Sequence, residues 1–241
     1  MKDQLEDMFR FLKANRVFNR RLQKAVLRPV LCVDSPLQKK VINLLYHTAN
    51  TQSQPKIDAL ATFFKSIHQD RRKTQSFGNF VQFLTGKKSC LFNDLYRGLR
   101  DQSGWGPKTS ALFTKVVYQA HNKFGSDFEF WSDTPRQVSN KDQLWLPVDA
   151  VIMHIFQQMG MHQPTFAKIN QEIKQHYRGD KLEIWDDLWF WGFITQKGTG
   201  QARTSEWNEN KYWMLIEASK SPPEIARTKE KARIFLKHLI K

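Results

Sequence analysis

With 241 residues, 40% of them apolar, the chain is long enough for one large domain or two lobes around a cleft, with a real core. Its 38 Lys and Arg against 23 Asp and Glu leave a formal net charge of +15, which calls for a polyanionic partner: nucleic acid first, an anionic membrane surface second. Two cysteines, Cys32 and Cys90, exclude a disulfide framework and a four-thiolate metal or iron–sulfur site, and suit a reducing compartment. No stretch approaches ~18 uninterrupted apolar residues, and the charged start Met1-Lys-Asp-Gln lacks a signal-peptide core. The expectation is a soluble intracellular protein, cytoplasmic or nucleoid-associated.

Taken in order, residues 2–28 read as one or two helices, with Leu5, Met8, Phe11 and Leu12 as the first apolar stripe. Pro29 to Pro36 reads as a break, and Ser35-Pro36 opens a helix through Val41, Leu44 and Leu45. A polar loop from Thr48 to Pro55 precedes a helix over Lys56 to His68. A basic stretch, Asp70 to Gly78, leads into the Phe77–Leu84 helix, which Gly86 stops. Ser89 is the N-cap candidate for a helix over Cys90 to Leu99. Pro107 opens a helix with Leu112, Phe113, Val116 and Val117 on its apolar side, ending near Gly125. The connection 126–143 is long, carries Phe128, Phe130 and Trp131, and has room for a short hairpin of strands. Helices then follow over 147–160, opened by Pro147, and from Pro164 to Gly179. The stretch Leu182 to Ile194 is apolar nearly all round and should be central. Lys197 to Ser205 is a loop; Glu206 to Ala218 and Pro222 to Lys241 close the chain as helices, with Lys237 and Lys241 in the final turns. Strand signals are otherwise few, so the fold class is all-α.

The stretch 99–123 holds the densest chemistry. Leu99-Arg-Asp-Gln-Ser-Gly-Trp-Gly-Pro-Lys108 reads as a helix end, a tight turn and a new helix start. Gly104 and Gly106 permit positive φ and a close approach of backbone. A helix N-terminus beside bare glycine N–H groups attracts phosphate, and Lys108 sits in the first turn. On its own such a lysine is a solvated or phosphate-contacting charge, and the glycines alone make an ordinary bend. Aromatic residues at 13%, among them eight Trp, add stacking surface for bases.

Ser103-Gly-Trp-Gly-Pro-Lys-Thr-Ser-Ala111 followed by Leu146-Pro-Val-Asp149 resembles the helix-hairpin-helix DNA glycosylases. The lysine resembles that of the bifunctional branch, which includes the 8-oxoguanine glycosylases. The resemblance implies two helical lobes around a DNA-binding cleft, and a monomer acting on double-stranded DNA with an extruded modified base. It implies Lys108 as nucleophile and Asp149 as its partner, with Gly104, Gly106 and Pro107 holding a DNA phosphate. Asp186-Asp-Leu-Trp-Phe-Trp-Gly192 resembles the archaeal-type enzymes, where an Asp and an aromatic four residues apart serve the base; these map to Asp187 and Trp191. Leu112, Trp189 and Trp131 complete the implied base pocket, although core packing accounts equally well for each of Trp189, Phe190 and Trp191. Carbonyls from Ser103 to Gly106 offer a monovalent cation a place; no other cofactor and no catalytic metal is expected.

The chemistry follows from the residues as well. A base inside a duplex must be extruded before it is cut from its sugar. The sugar gains positive charge as the bond breaks, and a carboxylate such as Asp149 stabilises it. A helix N-terminus favours the anionic carboxylate. A neutral Lys108 amine then attacks the anomeric carbon; from an ordinary pKa of ~10.4 this requires burial or cationic neighbours. Two rival expectations remain: removal of a hypermodified pyrimidine from viral DNA in bacterial defence, with 126–143 reshaping the pocket, and a non-catalytic DNA-binding module.

Overall fold

In a computed structural model of the chain, residues 2–32, 34–216 and 218–239 are described, and the fold is predominantly helical. Lys241, expected in the last turn, lies outside the described residues. The helices are α1 (Lys2–Ala14), α2 (Arg16–Leu31), α3 (Leu37–Ala49), α4 (Ile57–Gln69), α5 (Phe77–Thr85), α6 (Phe92–Arg100) and α7 (Pro107–Asn122). They continue with α8 (Ala150–Gln158), α9 (Phe166–His176), α10 (Lys181–Ile184), α11 (Asp187–Ile194), α12 (Glu209–Trp213) and α13 (Pro222–Lys237). The strand pair lies where a loop was expected, not in 126–143: β1 (Gln196–Lys197) runs antiparallel to β2 (Thr204–Ser205).

The chain folds as two compact units. Unit 1 comprises residues 1–26, 148–177 and 181–241; unit 2 comprises 27–147 and 178–180. The core of unit 1 includes Leu5, Met8 and Phe11 of α1, Ile152 and Ile155 of α8, Trp191 of α11 and Phe235 of α13, with the rings of Phe11 and Phe235 against Trp191. Gly192 is required there: a Cβ would stand 2.6 Å from the Val151 side chain and 2.7 Å from that of Ile155. The core of unit 2 is a run of edge-on and tilted rings, Phe77, Phe80, Phe92, Phe113, Tyr118 and Trp131.

Several boundaries differ from the sequence reading; the helix expected over Glu206 to Ala218 is only Glu209–Trp213. The expected break at Pro29 is carried inside α2, which continues to Leu31. The helix expected from Pro147 starts at Ala150, because Asp149 caps it. Ser89 is not the N-cap of α6; Leu91 holds that place without a side-chain cap. The carboxylate of Asp142 supplies the cap instead, accepting from the N–H groups of Phe92 (2.9 Å) and Asn93 (2.8 Å). Asp133 does the same for α5, accepting from Phe77 and Gly78. The 126–143 connection is therefore a strap tied to unit 2, not a free loop. Its Phe128, Phe130 and Trp131 are buried, and the Trp131 indole N–H donates to the carbonyl of Thr74 at 2.9 Å.

Candidate functional site

Within unit 2, α6 and α7 are joined by residues 101–106. Gly104 adopts φ +86°, and a Cβ there would meet the Leu60 side chain at 2.9 Å and its backbone nitrogen at 3.0 Å. The turn is thus pressed onto the start of α4. Trp105 is buried beneath it, edge-on to Phe63 and Phe113. Gly106 behaves differently from the expectation. Its φ is −101°, it forms the N-cap of α7, and a Cβ would meet nothing within 4 Å. Neither a positive φ nor a close backbone approach requires glycine here. No side chain caps α7, so its first N–H groups have no side-chain acceptor among the described residues.

Helix α7 is buried almost all round. From 107 to 121, only Pro107, Lys108 and Leu112 are not buried. Lys108 and Leu112, four residues apart, therefore form one open stripe on an otherwise enclosed helix. Lys108 is half-buried and has no ion-pair or hydrogen-bond partner among the described residues. Lys115, one turn further along the same side, is buried at 5% exposure. The sequence reading missed it, although its seven-residue spacing from Lys108 is a helical signal.

The carbonyls of Gln102, Gly104 and Gly106 accept from Trp105 N–H, the Gln52 side-chain amide and Ser110 N–H. A monovalent cation at the turn would share their second lone pairs. Among the described residues, no group of His, Cys, Asp and Glu is arranged to hold a metal ion.

Within unit 1, Asp149 is half-buried. Its Oδ1 accepts from Val151 N–H (2.9 Å) and Ile152 N–H (3.0 Å), capping α8. Its Oδ2 has no partner among the described residues, so one carboxylate oxygen holds the helix and the other is available.

Asp187 opens α11 and is 1% exposed. It accepts from Asn19 (2.6 Å) and Arg16 (3.3 Å), while Arg16 also bonds Glu183, and Gln23 donates to Asp186. Burial pushes the Asp187 carboxyl up to about 7, against the pull of Arg16 and the Asn19 amide. Arg16, Asn19 and Gln23 lie at helical spacing on α2.

Comparison with known protein families, curated proteins and solved structures gives no match. The site is therefore read from its own geometry. Trp191 is fully buried, edge-on to Phe11 and Phe18. Trp131 has its place in the core of unit 2 and its N–H spent, which leaves it no face for a base. Trp189 alone of the proposed tryptophans is half-open, stacked on Phe193 at 5.1 Å and 16°.

Proposed function

We propose that the chain is a DNA glycosylase with AP lyase activity, the segment α6–turn–α7 being a helix-hairpin-helix motif. The observation that carries the reading is Lys108. It is an unpaired amine on an otherwise enclosed helix, one residue past a proline start, beside an uncapped N-terminus that open space at Gly106 makes accessible. A phosphate held at that N-terminus brings the adjoining sugar to an amine. The net charge of +15 supports a DNA partner.

In this reading the Lys108 nitrogen forms a bond to the anomeric carbon as the base leaves with the bonding electrons and takes a proton. Loss of the nitrogen's proton and opening of the sugar ring give an imine. Removal of a proton from the neighbouring carbon then expels the 3′ phosphate and nicks the strand. By the resemblance, Asp149 is the carboxylate that stabilises the positive sugar. By the resemblance the base is 8-oxoguanine.

The test is borohydride trapping on duplexes carrying different lesions and on an abasic duplex. Wild type is expected to give a covalent adduct that Lys108→Gln abolishes. DNA binding with no adduct on any substrate would make the chain a non-catalytic DNA-binding module.

A further inference from the structure

A second group of cations lies in unit 1 and has no part in the chemistry above. Arg203, at the end of the connection between β1 and β2, spends one guanidinium N–H on the Gln196 side chain at 2.6 Å. Gln196 is itself fixed, donating to the Val151 carbonyl in the first turn of α8. The other guanidinium donors are unspent among the described residues. Lys211 of α12 places its amine 5.2 Å from the Phe193 ring centre and pairs with no carboxylate among the described residues. The nearby acid, Glu206, is taken by Lys197 and Thr204. Next to these cations, His154 of α8 and Ser205 of β2 are hydrogen-bonded at 2.9 Å.

Asn208 ties the two cations to one anchor: its amide donates to the carbonyl of Gln196, the residue that Arg203 bonds, at 3.0 Å, and its oxygen accepts from the Lys211 backbone N–H at 3.2 Å. Burial, with Arg203 nearby, lowers the pKa of both Lys211 and His154. Bringing cations together without a carboxylate costs free energy, which an anionic ligand would recover. Beside them, Phe193 and Trp189 form a half-open stacked pair. Cations next to an exposed aromatic pair match a backbone phosphate followed by a base.

We propose that Arg203 and Lys211, with the Ser205 hydroxyl, bind a nucleic-acid phosphate, and that the Trp189–Phe193 pair stacks a neighbouring base. All of these residues belong to unit 1. The proposal rests on the nucleic-acid partner of the proposed function, not on its lysine chemistry.

The experiment is binding of a short unmodified DNA duplex, and its single strand, across a salt series. For Arg203→Gln/Lys211→Gln the slope of log affinity against log salt is expected to flatten by ~0.9 per lost contact, about 2 in all. Affinity at a fixed salt falls about tenfold. Arg203→Lys/Lys211→Arg, which keeps both charges, retains most of the slope, and the helicity of each variant is checked by circular dichroism. Lys229→Gln/Lys237→Gln on α13 removes the same charge elsewhere and leaves the slope nearly unchanged. No change in the first pair, or an equal change in the α13 pair, overturns the proposal. So does wild-type binding to phosphatidylglycerol vesicles without binding to DNA. No lesion or turnover enters the measurement, so the two readings stand or fall separately.

Discussion

The two turn glycines carry different burdens, and the difference is measurable. Gly104→Ala places a Cβ against Leu60 backbone at positive φ, so a loss of about 2 kcal/mol or more is expected in chemical denaturation. Gly106→Ala fits its φ of −101° and meets open space, so stability should be unchanged while DNA affinity falls. Equal loss of stability in both variants would remove the distinction. Two buried titratable groups set opposite pH trends. Burial holds His121 down to about 4 from 6.5, so the unfolded chain takes up a proton that the native state refuses. Stability is full above about pH 6.5 and falls as pH drops towards 4, by up to ~3 kcal/mol. Asp187 runs the other way. Its native carboxyl keeps a proton from about pH 4 to about pH 7, and stability falls as pH rises across that window. Asp187→Asn should therefore gain on wild type between pH 5 and pH 8 in denaturant midpoint. A constant gap between the two would mean that Asp187 does not titrate there.

At the scale of elements, helix starts are held by carboxylates from elsewhere in the chain. Asp133 and Asp142 each accept from two N–H groups at the start of α5 and α6. Replacing either by Ala leaves those donors unmet and should cost about 1–2 kcal/mol, read as a lower melting temperature. Asp142→Ala is expected to weaken DNA binding too, because α6 leads directly into the Gly104 turn. Unchanged melting in both variants would mean that the strap does not secure these helices. The same strap explains why 126–143 reads as a pocket insertion from sequence: its aromatic and acidic residues look exposed until their partners, Thr74 and the N-termini of α5 and α6, are known.

For the whole molecule, the charge excess of +15 is the widest-ranging feature. It predicts an affinity for DNA that falls steeply with salt, with a slope of several in log–log form. A flat dependence would show that the positive charge is spread over the surface without gathering on a strand. Among the described residues no helix is long and apolar enough to cross a membrane.

The sequence by itself determined the helical class, most helix positions and the turn from Leu99 to Lys108. Apolar spacing, Pro107 and the glycines are local signals, and local signals survive without knowledge of the fold. It also placed Asp149 at a helix start, where its carboxylate does cap α8. It did not determine which helix faces stay open. That Lys108 and Leu112 stay open is a tertiary fact: every other residue of α7 from Thr109 to His121 is covered. Likewise Trp131, Trp189 and Trp191 are equivalent as residue types, and tertiary packing alone separates two core rings from one half-open one. Burial is a property of the assembled chain: whether a ring or an amine meets solvent depends on residues that no local pattern names.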